Sequence, residues 1–283
     1  MFKKIITYYL LDFLALQRIN AAIAKGGVMM QARRIDLSDP ATWEFSGFSQ
    51  NGEDGILDVL RGQLSSSNRF FVEIGAADGV ENNSSWLAVM EKYNGLMVEG
   101  DSWLVGRANR TVVPLSIGAE CINMFVDTGN IGDLKSLMLH YDPDVFSLDI
   151  DGNDYYIAKG IFEAGIRPKI FVVEYNSVFG PDRSVTIEYQ EDFSFTKQDA
   201  TQLYYGVSLS AWKKFFAGLD YEFITVDRNG VNAFFVDRSQ CDSEFLGNVN
   251  GLAFAENRYQ RRKFGVPDEQ QFELIKNRKF MDV

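Results

Sequence analysis

Carboxylates stand at the ends of short apolar runs in this chain, a placement that suits bases, cation holders or metal ligands. VFSLDIDGND, Val145 to Asp154, sets Asp149, Asp151 and Asp154 at and just beyond one run, and KIFVVEYN, Lys169 to Asn176, carries Glu174 at the end of another. A strand extended through the first run would put Asp149 and Asp151 on one side, since strand side chains alternate with a period of two. Carboxylates crowded at adjacent strand ends repel one another unless something positive lies among them: a cationic cofactor, a substrate amine, Lys or Arg, or a Mg²⁺ held by oxygen ligands. Asp149, Asp151 and Glu174 are therefore the candidate catalytic acids and also the candidate metal ligands. Asp151 or Asp149 would take the proton of a reacting hydroxyl, directly or through a metal, help typically worth about 10² to 10⁴ in rate. Asp154 is divided between such a role and capping the helix that follows Asp151-Gly152-Asn153. His140, the only histidine, precedes the strand and so belongs to the end of the sheet opposite the acids.

Other acids indicate what the cation is. In FFVEIGAADG, Phe70 to Gly79, an apolar run containing Glu73 reads as a strand buried on both faces, and Gly75 and Gly79 bound the tight turn after it. A dinucleotide site wants G-x-G-x-x-G, whose middle glycine lets the backbone approach a pyrophosphate over a helix N-terminus. Here the middle position is Ala77, and Asp78 after it would repel a pyrophosphate. S-adenosylmethionine reverses that argument, because it has no phosphates and carries a sulfonium and an ammonium that Glu73 or Asp78 can offset. About twenty residues beyond the turn, where dinucleotide folds place their ribose-binding acid, GLMVEGD ends in Glu99 and Asp101. Glu99 is the first choice for the ribose and Asp101 the second. The candidate cofactor set is Glu73, Gly75, Asp78, Gly79, Glu99 and Asp101; the competing reading of Glu73 is a helix-capping or ion-paired acid.

At 283 residues, 46% of them hydrophobic and 14% aromatic, the chain can bury one large core. A formal net charge of -11 argues against a nucleic-acid partner, which calls for clustered Lys and Arg. Cys121 and Cys241 lie far apart without C-x-x-C spacing, so no disulfide framework or zinc site is indicated and a cytoplasmic location fits. MFKKIITYYLLDFLAL superficially resembles a signal peptide, but Asp12 interrupts the apolar stretch and leaves it short of the about 20 residues that span a bilayer. An amphipathic helix is the expectation. Through Arg34 this segment holds Lys3, Lys4, Arg18, Lys25, Arg33 and Arg34 against Asp12 alone. Such a helix packs on its own domain, on a second subunit, or peripherally on an anionic membrane.

Between the terminal segments the pattern alternates. FSQNGEDGILDVL offers Ser49 as a helix N-cap, with Ile56, Leu57 and Leu60 at helical spacing. Strands are expected over 70 to 75, 95 to 99, 111 to 115, 145 to 150 and 169 to 176, with helices near 82 to 93, 131 to 140, 154 to 164 and 208 to 219. This alternation specifies an α/β doubly wound, Rossmann-like fold with a mostly parallel sheet. YEFITVDRNGVNAFFV, Tyr221 to Val236, closes it with an antiparallel hairpin around Asn229-Gly230. Residues 177 to 207 are long for a connection and rich in aromatics, among them Phe179, Tyr189, Phe193, Phe195, Tyr204 and Tyr205, so they read as a lid or binding loop. The expected organisation is a helical extension over 1 to 44, a catalytic domain over 45 to 238 and a second helical extension over 239 to 283.

Taken together, SQNGEDG, FVEIGAADG, the MVEGD strand, SLDIDGND, VVEYN and DRNGVNAFFV resemble S-adenosylmethionine-dependent methyltransferases of the FkbM-like group, over roughly Ser49 to Val236. The resemblance implies a methyltransferase fold and O-methylation of a hydroxyl on a sugar, glycan-like or other small-molecule acceptor. That group commonly has a lysine before the acid-glycine pair of the fourth-strand motif, where this chain has Leu148-Asp149-Ile150-Asp151-Gly152. The added acid looks more like metal-assisted sugar O-methyltransferases, whose carboxylates hold Mg²⁺. Two other classes compete: a scaffold that keeps the fold without turnover, and a nicotinamide-dependent oxidoreductase, which Ala77 and Asp78 disfavour.

Overall fold

The computed structural model describes residues 2–191, 193–198 and 200–283, with side chains from residue 10 onward. The apolar runs become strands: β1 Phe70–Ile74, β2 Asn94–Glu99, β3 Gly118–Asn123, β4 Val145–Leu148, β5 Ile170–Glu174, β6 Val185–Ile187, β7 Tyr221–Val226, β8 Asn232–Asp237 and β9 Phe280–Asp282. Seven of them form one sheet in the order β3-β2-β1-β4-β5-β8-β7. Pairing is parallel from β3 through β5 and antiparallel at β5–β8 and β8–β7, so the hairpin closes the sheet as the sequence predicts. Strand order reverses between β1 and β4, and the crevice beyond the carboxyl ends of strands at such a reversal is where ligands bind.

The sheet is covered on both faces, which is why its central strands are apolar throughout. Phe71 and Met97 pack on one layer with Ile56, Leu57, Trp86, Val105 and Ala108 from the helices Glu53–Gly62, Ser85–Val89 and Ser102–Thr111. Phe70, Val72 and Ile74 face the other with Leu134, Ile157, Ile161 and Phe216 from Ile131–Leu137, Asp154–Glu163 and Leu209–Ala217.

Three local expectations are corrected. Residues 111 to 115 are not a strand: Thr111 ends the helix Ser102–Thr111, Val113–Leu115 is a single 3₁₀ turn through Pro114, and the strand begins at Gly118. The β-branched run misleads because Asp101 starts a helix upstream, its carboxylate accepting from the Trp103 and Leu104 amides at 2.7 and 3.4 Å. Ser49 does not cap the helix Glu53–Gly62, whose N-cap is Gly52 at φ 104; its hydroxyl instead accepts from the Asp54 amide while the Asp54 carboxylate accepts from the Ser49 and Gly47 amides. β4 stops at Leu148, short of the acids.

The N-terminal helix Phe2–Ala32 lies against the domain. Ala15, Ile19 and Ala22 are buried, Asp12 pairs with Arg110 at 2.7 Å and Arg18 pairs with Glu81. Its opposite face leaves Leu10, Phe13 and Leu14 exposed. Among the described residues no helix is long and apolar enough to cross a membrane. The segment after residue 238 is not purely helical. It contributes short helices, including Arg258–Phe264, and ends in β9, which pairs antiparallel with β6 of the lid. Val178, Phe179, Ile187, Leu203 and Tyr204 of the lid then make a small core of their own with Ile275. The lid aromatics are thus divided: Phe179 and Tyr204 are buried in that core, while Phe193, Phe195 and the buried Tyr205 line pockets.

Candidate functional site

The turn after β1 lies where the ends of β1, β2 and β4 meet. Gly75 has φ +86, and a Cβ on it would stand 1.7 Å from the Asp149 carbonyl oxygen, so any side chain would drive β1 and β4 apart. Gly75 donates to the Val98 carbonyl at 2.9 Å and Asp149 to the Ile74 carbonyl at 3.1 Å, fixing the three strand ends together. Ala77 is held at φ 49, a conformation costly for a residue with a Cβ. Its amide donates to a Glu99 oxygen at 2.9 Å, which ties the glycine turn to the end of β2.

In front of this turn lies a cleft of about 470 Å³, within the range of small-ligand sites. Gly75, Glu99, Asp149 and Asp151 are in its wall, with Glu81 and Asp127, and Leu104, Met124, Phe125 and Phe193 give it an apolar side. None of the described residues lining it is Lys or Arg. Phe193 of the lid rests on Gly152, where a Cβ would be 2.3 Å from its ring, so the lid covers the acidic loop after β4. Phe125 and Met124 escape the sequence reading; their signal is INMFVD, an apolar stretch after β3 that ends in an acid like its neighbours.

The candidate cofactor acids of β1 and β2 are placed differently from one another. Glu73 is buried, and its carboxylate accepts from the Asn83 and Ser84 amides at 2.9 and 3.0 Å and from the Ser84 hydroxyl. Burial nevertheless pushes its pKa up to about 7, against the downward pull of those bonds. It faces a small opening shared with Glu53, Asn83, Asp149 and Asn232, next to Gly75. Asp78 is turned away from the cleft: one oxygen pairs with Arg107 at 3.0 Å and the other accepts from the Val80 amide. Asp101 caps its helix outside the cleft, and Gly79 packs on Val112. Glu99 alone combines the strand-end position with a place in the cleft wall.

The acids beyond β4 and at the end of β5 do come together, by a route other than strand alternation. Beyond Leu148 the chain turns, with Asp151 at φ 56, and the Asp154 carboxylate pins that turn by accepting from the Ile150 and Gly152 amides at 2.9 and 2.8 Å. Asp154 is therefore structural. Asp149, Asp151 and Glu174 each offer an oxygen, all within 4.8 Å of one another. Among the described residues no Lys or Arg is ion-paired with any of the three. Asp149 and Glu174 face pockets and are half-buried by exposed area, yet protein surrounds them elsewhere. Burial first, and then the charges of neighbouring carboxylates, hold both well above the ordinary carboxylate range. The two lie side by side, so ionising either one raises the pKa of the other. His140 is far away, edge-on to Phe70 at the opening residue of β1.

No protein-family model matches the chain, and neither does any curated protein. Solved structures do resemble it. A methyltransferase from Podospora anserina bound to S-adenosylhomocysteine is 15% identical, with a TM-score of 0.44 over 77% of this chain and 88% of that one. An O-methyltransferase from Bacillus cereus with the same ligand is 13% identical, with a TM-score of 0.42 over 77% and 89%. The O-methyltransferase TomG from Streptomyces achromogenes, in complex with S-adenosylmethionine, is 16% identical, with a TM-score of 0.42 over 75% and 93%. At such values the likeness is one of element arrangement and carries nothing about chemistry.

Proposed function

We propose that this chain is an S-adenosylmethionine-dependent methyltransferase that methylates a hydroxyl of a sugar or glycan-like acceptor. The observation that carries the reading is the cleft itself: it lies at the strand-order reversal, its wall holds Glu99 and the Gly75 turn, and it ends on Asp149 and Asp151, which cluster with Glu174 with no described Lys or Arg paired to them. A pyrophosphate would meet Glu99, Asp127, Asp149 and Asp151 with no Lys or Arg among the described lining residues, whereas a sulfonium is attracted there.

In this reading Glu99 accepts from the ribose hydroxyls, Phe125, Met124 and Leu104 cover the adenine, and the methionine end passes Gly75 toward Glu73 and Glu53, whose charges suit its ammonium. Asp78, Asp101 and Gly79 shape the surrounding loops. The acceptor oxygen attacks the methyl carbon in line as the carbon–sulfur bond breaks, leaving a neutral thioether. Alignment and exclusion of water supply much of the acceleration, because the leaving group is already cationic. Asp149 or Asp151 takes the hydroxyl proton and becomes neutral, which relieves its repulsion with Glu174.

The same three oxygens fit a hard divalent cation, being carboxylates at mutual distances up to 4.8 Å with no competing ammonium or guanidinium. Asp149, Asp151 and Glu174 would hold Mg²⁺, and its chemistry there would be to lower the pKa of the acceptor hydroxyl. Calorimetry with S-adenosylmethionine, followed by transfer of a labelled methyl group to a panel of sugars and glycans with and without Mg²⁺, tests the reading. Binding and transfer are expected; failure to bind the cofactor would sink it, and full activity after exhaustive chelation would remove the metal.

A further inference from the structure

A second pocket, of about 250 Å³, lies on the other side of the acids from the cofactor cleft. Asp151 is in the wall of both, and Glu174 lines the second. Its remaining wall comes from the lid and from the helix Arg258–Phe264, a segment outside the region of family resemblance. At roughly 30 Å³ per water, the space suits one sugar ring.

The interior asks for a hydrogen-bond donor. Gln260 is buried, 7% exposed, and its amide nitrogen donates to the hydroxyl of buried Tyr205 at 3.2 Å. The Gln260 carbonyl oxygen is buried without a partner. Such an orphan is costly unless a ligand satisfies it. With Asp151 and Glu174 in the same wall, this part of the pocket is rich in acceptors, which fits hydroxyl groups and disfavours carboxylates or phosphates.

The mouth has the opposite character. The helix sequence RYQRRKF places four cations in seven residues of a chain whose net charge is -11. Tyr259 and Lys263 both line the pocket and are exposed, Tyr259 at 73%. Arg262, three residues after Tyr259, is an exposed neighbour on the helix surface. Lys263 is steadied by the Gln202 side-chain oxygen at 3.0 Å, and Arg261 is occupied by Glu256 at 2.7 Å. An aromatic face thus sits at the entrance, between an acidic floor and a basic rim.

We propose that this pocket is the acceptor site and that it takes a phosphorylated sugar, with hydroxyls on Gln260, Asp151 and Glu174, the ring against Tyr259 and the phosphate at Lys263 and Arg262. The assignment of the pocket to the acceptor rests on the methyltransferase reading; the ligand class does not. Both a simple sugar phosphate and a nucleoside diphosphate sugar have this chemistry.

The test is equilibrium binding to the full chain without cofactor, using glucose, inorganic phosphate, glucose 1-phosphate and uridine diphosphate glucose. At least one phosphorylated sugar should bind about tenfold or more tighter than glucose and than inorganic phosphate, a gap of about 1.4 kcal/mol. The better of the two identifies the phosphate source. That gain should disappear in the double variant Arg262→Glu, Lys263→Glu. Gln260→Met should weaken the same ligand about tenfold with the fold retained by circular dichroism, since the orphaned acceptor it removes offsets the lost bond to the Tyr205 hydroxyl. Equal binding of glucose and its phosphorylated forms, phosphate binding as tight as sugar phosphate, or no binding of any probe would each overturn the proposal. Because S-adenosylmethionine is absent, failure here is separable from failure of the cofactor to bind in its own titration.

Discussion

Acids close four neighbouring strand ends, and the two halves of the set are in opposite states. At β1 and β2, Glu73, Asp78, Glu99 and Asp101 are engaged by backbone amides or by Arg107. At β4 and β5, Asp149, Asp151 and Glu174 have mainly one another. A carboxylate held by fixed donors is locked in place and has only its spare lone pairs for a ligand, whereas one left among like charges stores an unmet demand for a proton, a cation or a substrate. Position at a strand end therefore does not distinguish a structural acid from a chemical one; the inventory of partners does.

The largest expected effect sharpens that division. Asp149→Asn should lower methyl transfer by about 10³, in the range of lost general-base help, while the melting temperature holds or rises because a like charge is gone. A fall in both would break the comparison by making Asp149 structural. Asp78→Ala should do the reverse. It strands Arg107 at a site where both side chains are nearly covered, 11% and 12% exposed, and should cost about 3 kcal/mol in denaturant unfolding. Cofactor affinity in that variant should stay close to wild type, since Asp78 is outside the cleft wall.

Glu73 gives the comparison a pH dependence. Its pKa stands at about 7 in the folded protein against an ordinary 4.5, so the folded state binds the proton more tightly than the unfolded chain. Its contribution is fully present below about pH 4.5 and is lost as pH rises through about 7, by up to ~3 kcal/mol. Stability against pH in wild type and Glu73→Gln checks this, with the component expected to vanish in the variant. Glu99→Ala should give the smallest effect, weakening S-adenosylmethionine by about 2 kcal/mol, the worth of a charged hydrogen bond. Unchanged affinity by calorimetry would take Glu99 out of the site and leave the cofactor side purely structural.

Much of this was legible in the chain because it is local. Apolar runs bounded by Gly75 and Gly79, the Asn229-Gly230 hairpin and the alternation of elements set the sheet and its antiparallel ending through short-range sterics and burial. The run Thr111 to Leu115 shows the limit, since β-branched residues lost to a helix started by Asp101 ten residues earlier.

By itself, then, the sequence determined where acids occur and which end of the sheet they occupy. Only the tertiary structure decided what each acid does. Asp78 met Arg107, Asp154 turned back onto the Ile150 and Gly152 amides, and Asp149, Asp151 and Glu174 converged through a turn rather than along a strand. The same folding brought Gln260 and Lys263, over eighty residues downstream of Glu174, to the far side of the acids. The physical reason is that a carboxylate's state depends on the donors and charges within a few ångströms, and those come from segments distant in the chain.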